Sequence, residues 1–214
     1  MIHIYYAYLS EKNHENLVKT NLHKFPQEYQ NKIKSFRRWQ DAQSSMLGRL
    51  LLYKGIKELY GNKIHFNDLR YTRYKKPYFE DSFVKFNISH SGEIVVCALC
   101  DNCEIGIDIE LVTNVELNDF KSQMTSKEWD NVLSSNSTEA SFFDYWTQKE
   151  AVLKAYGNGL TIPLRSFEIL DNKTQIKNEK FFLKKIAIDE KYKCYIAQNV
   201  NINQFSITKY NQNL

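Results

Sequence analysis

The sequence predicts an α+β chain in which helices and strands alternate through both halves. Three observations carry that expectation. Residues 40–60 and 138–156 repeat their apolar side chains at helical intervals. Around them, short β-branched and aromatic runs are bounded by polar turns, from residue 2 to residue 210. The 214 residues are 43% hydrophobic and 25% charged with only 7 glycines and 3 prolines, which supports a packed core and excludes disorder or collagen-like repeats.

In chain order, a strand opens the molecule at residues 2–9. Pro26 starts a helical region, since its fixed φ suits a first turn. The long helix at 40–60 follows, with Met46, Leu47, Leu50, Leu51, Ile56 and Leu59 at helical spacing and Gly61-Asn62 as its stop. Pro77 interrupts the tyrosine-rich residues 69–80, which read as extended chain or an edge strand. Strands at 84–88 and 94–99 are joined by the turn His90-Ser91-Gly92-Glu93, and a third, 104–110, follows Asp101-Asn102. A short helix at 125–133 precedes the longer one at 138–156, which Gly157 and Gly159 close. Strand patterns then recur at 167–170, 181–188, 194–197 and 205–210. The chain divides near Cys103, into residues 1–103 and 104–214, without any internal sequence repeat.

Lys and Arg total 29 against 25 Asp and Glu, a formal charge of +4. So small an excess does not announce nucleic acid, and none is expected as a partner, although it suits a polyanionic small molecule or an acidic protein. No run approaches the ~20 apolar residues that span a bilayer, so no membrane association is expected. Residues 1–16 lack a basic head, a leucine-rich block and a small-residue cleavage site. A cytoplasmic monomer with four thiols is therefore expected. Cys97, Cys100 and Cys103 form C-x2-C-x2-C, but the next position that an iron–sulfur run would fill is Ile107. Residues three apart on a strand also face opposite ways, so Cys97 and Cys100 diverge. Small buried hydrophobes and one turn cysteine are the expectation.

Four groups of residues could carry chemistry. In EIGIDIE, residues 104–110, period two puts Ile105, Ile107 and Ile109 on one face and Glu104, Gly106, Asp108 and Glu110 on the other. Asp108 and Glu110 then stand with α-carbons about 6.6 Å apart. Carboxylates so placed repel unless a cation lies between them, and Mg2+ takes such oxygen ligands while bridging to phosphates. The alternative is a solvated acidic face on a half-exposed strand. In WTQKEAVLKAYGNGL, residues 146–160, Trp146, Glu150 and Lys154 share one helical stripe. Alone, this is a surface Glu–Lys pair worth about 0.3–0.5 kcal/mol. In FNISHSGEIVVCAL, residues 86–99, Ser89, His90 and Ser91 stand at a strand end where an imidazole and backbone donors could meet an anionic oxygen. A hairpin turn with a surface histidine is the bland alternative. A serine nucleophile is disfavoured, because adjacent residues on extended chain point apart and no nucleophile elbow surrounds them. Finally, Arg37-Arg38 and Lys75-Lys76-Pro77 suit phosphate, or are solvated faces.

Taken in order, Lys76-Pro77, FNISHSG, GIDIE and WTQKEAVLKAYGNGL resemble the motifs of the Sfp-type 4′-phosphopantetheinyl transferases over about residues 76–170. The intervals of 17 positions from Ser91 to Asp108 and 40 from Glu110 to Glu150 also suit that family. Upstream, residues 36–56 are similar to its basic segment and following helix. There, Gln43 and Ser44 stand where basic residues are common, and Arg37, Arg38 or Arg49 could compensate.

The resemblance implies a pseudo-twofold pair of similar α/β halves with coenzyme A in the cleft between them. It implies transfer of the 4′-phosphopantetheine arm to a serine of an apo acyl, peptidyl or aryl carrier protein, with release of adenosine 3′,5′-bisphosphate. Mg2+, replaceable by Mn2+, would be held by Asp108, Glu110 and Glu150. Coenzyme A would be held by Lys76, Ser89, His90, Lys154, Arg37 and Arg38. The catalytic set would be Glu150, Lys154, His90 and Glu128, with either Glu128 or Glu150 as the base. Thr125 and Glu128 also have capping-box spacing. The carrier is expected to dock on residues 112–124 through Leu117, Phe120 and Met124 beside Lys121 and Lys127, unless these side chains pack into the core. Two competing classes are a Mg2+-dependent nuclease and a non-catalytic coenzyme A or carrier binder. The nuclease is disfavoured because its acid and lysine usually stand two apart on a strand. The binder is disfavoured because every proposed metal ligand is present.

Overall fold

The structure, a computed structural model, describes residues 1–61, 68–80 and 83–211, with only the backbone of Leu160. Strand β1 (Ile2–Tyr8) is followed by helices α1 (Glu11–Asn21), α2 (Gln27–Ser35) and α3 (Trp39–Tyr60). A small hairpin, β2 (Leu69–Tyr71) and β3 (Pro77–Phe79), leads to β4 (Val84–Ser91), β5 (Ile94–Asp101) and β6 (Ile105–Leu111). Helices α4 (Ser126–Leu133) and α5 (Thr138–Tyr156) precede β7 (Lys173–Ile176), β8 (Glu179–Lys185), β9 (Tyr192–Gln198) and β10 (Phe205–Lys209). Among the described residues no helix is long and apolar enough to cross a membrane.

Two four-stranded sheets result, in the orders β10-β1-β5-β4 and β6-β9-β8-β7. Each is covered by one long helix. On the first sheet, Met46, Leu47 and Leu51 of α3 pack with Tyr5, Phe86, Val95, Cys97 and Leu99. On the second, Ala151, Val152 and Ala155 of α5 pack with Phe181, Leu183, Tyr195 and Ala197. The opposite faces of the two sheets meet, Ile2, Ile4, Val96 and Ala98 against Ile105, Ile107, Ile109 and Ile196. The layers thus run helix, sheet, sheet, helix. This explains why seven of the eight residues of β5 are buried: both of its faces are inside, as a continuous apolar run requires.

Three expectations need correction. Residues 167–170 do not form a strand; they follow a short 3-10 turn at Leu164–Ser166, and Leu170 makes an isolated bridge to Lys173. The carbonyls of Leu164 and Phe167 instead accept hydrogen bonds from the Lys149 ammonium at 2.8 and 2.6 Å. The last strand does not stay with residues 104–204, since β10 pairs in parallel with β1 and completes the first sheet. Cys100 and Cys103 are not thiols but a disulfide across the β5–β6 turn, which brings their α-carbons to 6.4 Å, within disulfide range. Cys97 and Cys194 are free and buried. Helix α1 was not expected, because Leu17 is its one buried residue and its sequence is otherwise polar. Asn62, half of the proposed stop of the long helix, lies outside the described residues, while Gly61 caps α3 with a φ of 64°.

Gly106 sets the distance between β6 and α5. A β-carbon there would lie 2.1 Å from the carbonyl oxygen of Ala151 and 2.3 Å from the nitrogen of Ala155. Both obstacles are helix backbone and cannot swing aside. Gly106→Ala should therefore cost about 1–3 kcal/mol, read as a lower denaturation midpoint in urea. An unchanged midpoint would mean that α5 can lift from the strand freely.

Candidate active site

The site grows from the edge of β6. That edge lies against the face of β4 carrying Asn87, Ser89 and Ser91, and these three side chains bond it at alternate positions. Asn87 Oδ1 accepts from the Ile107 nitrogen at 2.9 Å, and Ser91 Oγ from the Leu111 nitrogen at 3.1 Å. Between them Ser89 Oγ donates to Asp108 Oδ1 at 2.9 Å, and Ser91 Oγ donates to Glu110 Oε2 at 2.7 Å. The exposed edge of the second sheet is thereby satisfied by side chains of the first. Ser89 and Ser91, expected near an anion, are partners of the two carboxylates.

Helix α5 closes the site from above. Its Ser137 N-cap accepts from the Ala140 nitrogen at 3.4 Å, and Gly157 ends it in the left-handed conformation, φ 82°, as the glycine in the sequence indicates. Lys154 directs its ammonium away from an i,i+4 pair and onto Asp108 Oδ1 at 2.5 Å and Ser89 Oγ at 2.8 Å. Asp108 is 2% exposed, and its Oδ2 is buried without a hydrogen-bond partner. Glu150 titrates above the ordinary carboxylate range because it is buried and faces Asp108, an effect that Lys154 partly offsets. Burial also raises Glu110, with Asp108 and Glu150 adding to it and Ser91 and Lys154 opposing. Burial and the Lys154 charge lower the His90 imidazole, against smaller contributions from Asp41 and Asp108. His90 stands at the end of β4, its side chain partly open to solvent and partly covered by the surrounding chain, on the opposite face from Ser89.

A cavity of about 190 Å3 opens between Tyr74, Lys75, Lys76, Asn87, Glu150 and Lys154. Lys76 borders it but turns its ammonium to the Ala155 carbonyl at 3.2 Å and to Glu104 at 3.6 Å, and burial lowers its pKa. Arg37 and Arg38 are exposed at the start of α3, and the structure does not bring them among the cavity-lining residues. Gln43 is fully buried and clamps the start of α1, with its amide bonding both the nitrogen and the carbonyl of Ser10 at 2.7 and 2.9 Å. A second cavity, about 710 Å3, went unread in the sequence. Tyr29, Lys32, Arg49, Tyr71 and Lys75 line it, and the Arg49 guanidinium lies 5.1 and 5.8 Å from the Tyr29 and Tyr71 ring centroids. Those residues come from α2, α3 and the β2–β3 hairpin, a convergence that no local motif announces.

The structure sets Glu128 apart from this cluster. It is 1% exposed, completes the capping box of α4 with Thr125, and pairs with Lys149 at 2.9 Å. Its other oxygen accepts from the Ile169 nitrogen at 3.3 Å. Both oxygens are thus committed inside the core. In residues 112–124 the half-buried Val112, Val115, Leu117 and Phe120 pack on Met124, Trp129 and Phe142. Phe120 and Trp146 meet edge to face at 5.3 Å, so Leu117 and Phe120 pack on the core with one side and stay half-exposed on the other. Among the described residues no group of three His, Cys, Asp or Glu side chains could hold a metal ion as it stands.

Residues 12–102 match the family model described as 4′-phosphopantetheinyl transferase, N-terminal, and residues 104–207 match that of the 4′-phosphopantetheinyl transferase superfamily. The 4′-phosphopantetheinyl transferase gsp of Aneurinibacillus migulanus is 36% identical over 178 residues, covering 79% of this chain and 74% of that protein. The 4′-phosphopantetheinyl transferase Sfp of Bacillus subtilis (strain 168) is 32% identical over 182 residues, with 79% and 80% covered. An L-aminoadipate-semialdehyde dehydrogenase-phosphopantetheinyl transferase of Xenopus laevis is 31% identical over 159 residues, with 67% and 52% covered. The cleft carboxylates and lysine therefore stand in a transferase fold, and the chain belongs to the Sfp-type 4′-phosphopantetheinyl transferase family. Nothing in these comparisons supports the nuclease or the non-catalytic binder.

Two predictions follow from the carboxylates. Groups raised by burial bind protons more tightly when folded, so they remove stability as pH climbs from the ordinary carboxylate range through their raised values. Without divalent metal, Glu150→Gln should therefore be more stable than the parent at pH 7, with the gap closing as pH falls to about 4.3. Denaturation midpoints at the two pH values read this directly, and a variant less stable at pH 7 would contradict it. Glu128→Gln should instead lose about 3–5 kcal/mol, because Lys149 is left buried and unpaired. Turnover by its folded fraction should stay within several-fold of the parent. A folded variant that has lost about 100-fold would restore Glu128 as the base.

Proposed function

We propose that this chain moves the 4′-phosphopantetheine arm of coenzyme A onto a serine of an apo carrier protein through the Asp108–Glu110–Glu150–Lys154 cluster. The observation that carries the reading is the meeting of three carboxylates and one ammonium at a cleft wall shared by both halves. In balance, the serine oxygen bonds to the phosphorus nearest pantetheine and its proton passes to a base. The bond from that phosphorus to the bridging oxygen breaks, and adenosine 3′,5′-bisphosphate leaves.

The donor set fits Mg2+ or Mn2+. Asp108 Oδ2 is buried without a partner, and Glu110 and Glu150 are both raised by burial and by neighbouring carboxylates. Oxygen ligands that lack positive charge suit a hard divalent cation. Asp108, Glu110 and Glu150 would hold it, and once bound it supplies charge neutralisation and orientation for the diphosphate.

Lys154 stabilises negative charge on the phosphate and on the departing bisphosphate. His90, lowered by burial and by Lys154, is neutral near pH 7 and donates one ring N–H to the diphosphate. Glu150, the carboxylate that α5 brings to the cluster, takes the serine proton directly or through a water. Glu128 has no part in this reading. Lys76 and Ser89 serve the coenzyme A side, with Arg37 and Arg38 reaching its phosphates from the start of α3. The cavity around Tyr29, Arg49 and Tyr71 suits a flat base beside a phosphate, because guanidinium stacks on rings and forks onto phosphate. The setting in this reading is a monomer in the cytoplasm, acting on carriers of fatty-acid, polyketide or nonribosomal-peptide synthesis. The Cys100–Cys103 bridge, 0% and 2% exposed, would be shielded from reductants there.

Purified protein, coenzyme A, Mg2+ and an apo carrier should give a carrier heavier by one phosphopantetheine, and excess chelator should stop the reaction. Glu150→Gln should still bind coenzyme A while turnover drops at least about 100-fold. Full turnover in metal-free buffer would remove the ion from the reading, and near-normal turnover of the variant would remove Glu150.

A further inference from the structure

We propose that Lys154 is the resident counter-cation of Asp108 and must leave that carboxylate before a divalent ion can bind there. The inference rests on the metal reading above. Its ground is a closed triangle of polar atoms. Lys154 Nζ donates to Asp108 Oδ1 at 2.5 Å and to Ser89 Oγ at 2.8 Å, while Ser89 Oγ donates to the same Oδ1 at 2.9 Å. One oxygen of a buried carboxylate is thus taken by an ammonium and a hydroxyl, and the other is buried without a partner. Asp108 is 2% exposed, and a carboxylate removed from water to that extent is stabilised by a cation in contact with it. In the described arrangement Lys154 is the cation within salt-bridge distance of it.

A divalent ion at Asp108 would face that ammonium at close range, and like charges there oppose each other. Lysine can yield where a fixed group cannot. Its side chain is 28% exposed, carries its charge on a flexible stem and borders the cavity of about 190 Å3 beside Glu150 and Lys76. Displaced from Asp108, the ammonium enters the space where an anionic diphosphate would lie. Metal arrival and delivery of the lysine to phosphate then become one exchange. By linkage, whatever factor Lys154 takes from metal affinity, metal takes from the Lys154–Asp108 pair. A permanently fixed ion pair would show neither effect.

The test uses the wild-type chain without coenzyme A and Mn2+ as the probe. Acetic anhydride labelling, read peptide by peptide by mass spectrometry, reports each lysine; Lys127 at 64% exposure normalises the scale and Lys149 at 1% is the buried control. Saturating Mn2+ should raise Lys154 labelling at least about fivefold and leave Lys149 unchanged. Labelling of Lys154 that stays level or falls, while calorimetry shows Mn2+ bound, overturns the proposal. Lys154→Met should bind Mn2+ about tenfold tighter than the parent; equal or weaker binding also overturns it. If that variant does not fold, the wild-type labelling decides alone. If neither protein binds Mn2+ even with coenzyme A present, the metal reading fails and takes this proposal with it.

Discussion

Asp108 is where both halves of the chain come together, and much of the site follows from keeping its charge inside the protein. Strand β6 presents it, β4 supplies the Ser89 hydroxyl and α5 supplies the Lys154 ammonium. None of those three elements could move independently without exposing or stranding the carboxylate. Gly106, two residues earlier, lets α5 approach closely enough for the lysine to reach. The isoleucines on the other face of β6 fix the strand from behind, packed between the two sheets. The site is therefore a consequence of how the layers are assembled. It is not a decoration added to a finished core.

Much of this was legible because it depends on local period. The alternation of EIGIDIE places carboxylates and isoleucines on opposite faces whatever the partners are; in the structure Ile105, Ile107 and Ile109 pack between the sheets while Gly106 meets α5 and Asp108 and Glu110 meet Ser89 and Ser91. The 138–156 helix has Gly157 after it, and its C-terminal end falls where that glycine indicates. Parity along β4 likewise separates His90 from Ser89 and Ser91. What the sequence does not carry is the identity of partners far apart in the chain. Glu128 and Lys149 are ordinary letters until folding buries them against each other and against residues 164–169. Phe167 and Ile169 look like strand residues because they are apolar and alternate. A buried lysine takes the carbonyls of Leu164 and Phe167, and the short segment does not join a ladder. The parallel pairing of β10 with β1, between residues 203 positions apart, is similarly invisible to any window of local pattern.

The carboxylate cluster also opposes the stability of the chain that holds it. Glu110 and Glu150 are both raised, with burial as the largest cause, so each lowers folded stability when ionised near neutrality. A protein selected for stability alone would replace one of them by an amide. Retaining all three acids beside one lysine is intelligible if a cation arrives during function and relieves the repulsion. The sheets share one apolar layer, and β10 returns the chain to the sheet in which it began.

Two lysines on α5 show how one helix serves both rigidity and exchange. Lys149 is 1% exposed, with its ammonium bonded to Glu128 and to two carbonyls and 4.6 Å from the Phe167 ring centroid. Moving it would strand a buried charge and release residues 164–169, so it acts as a fixed pin. Lys154 lies five residues further on, little more than one turn and on a different side of the helix. Its side chain is 28% exposed beside a polar cavity, and its two partners are a carboxylate and a hydroxyl that can accept other donors or ions. The energetic difference is one of alternatives. Lys149 has none without unfolding, whereas Lys154 can exchange one anion for another across the cleft. Pinning the helix at the first lysine keeps the base of the second in register, so that its motion is confined to the side chain.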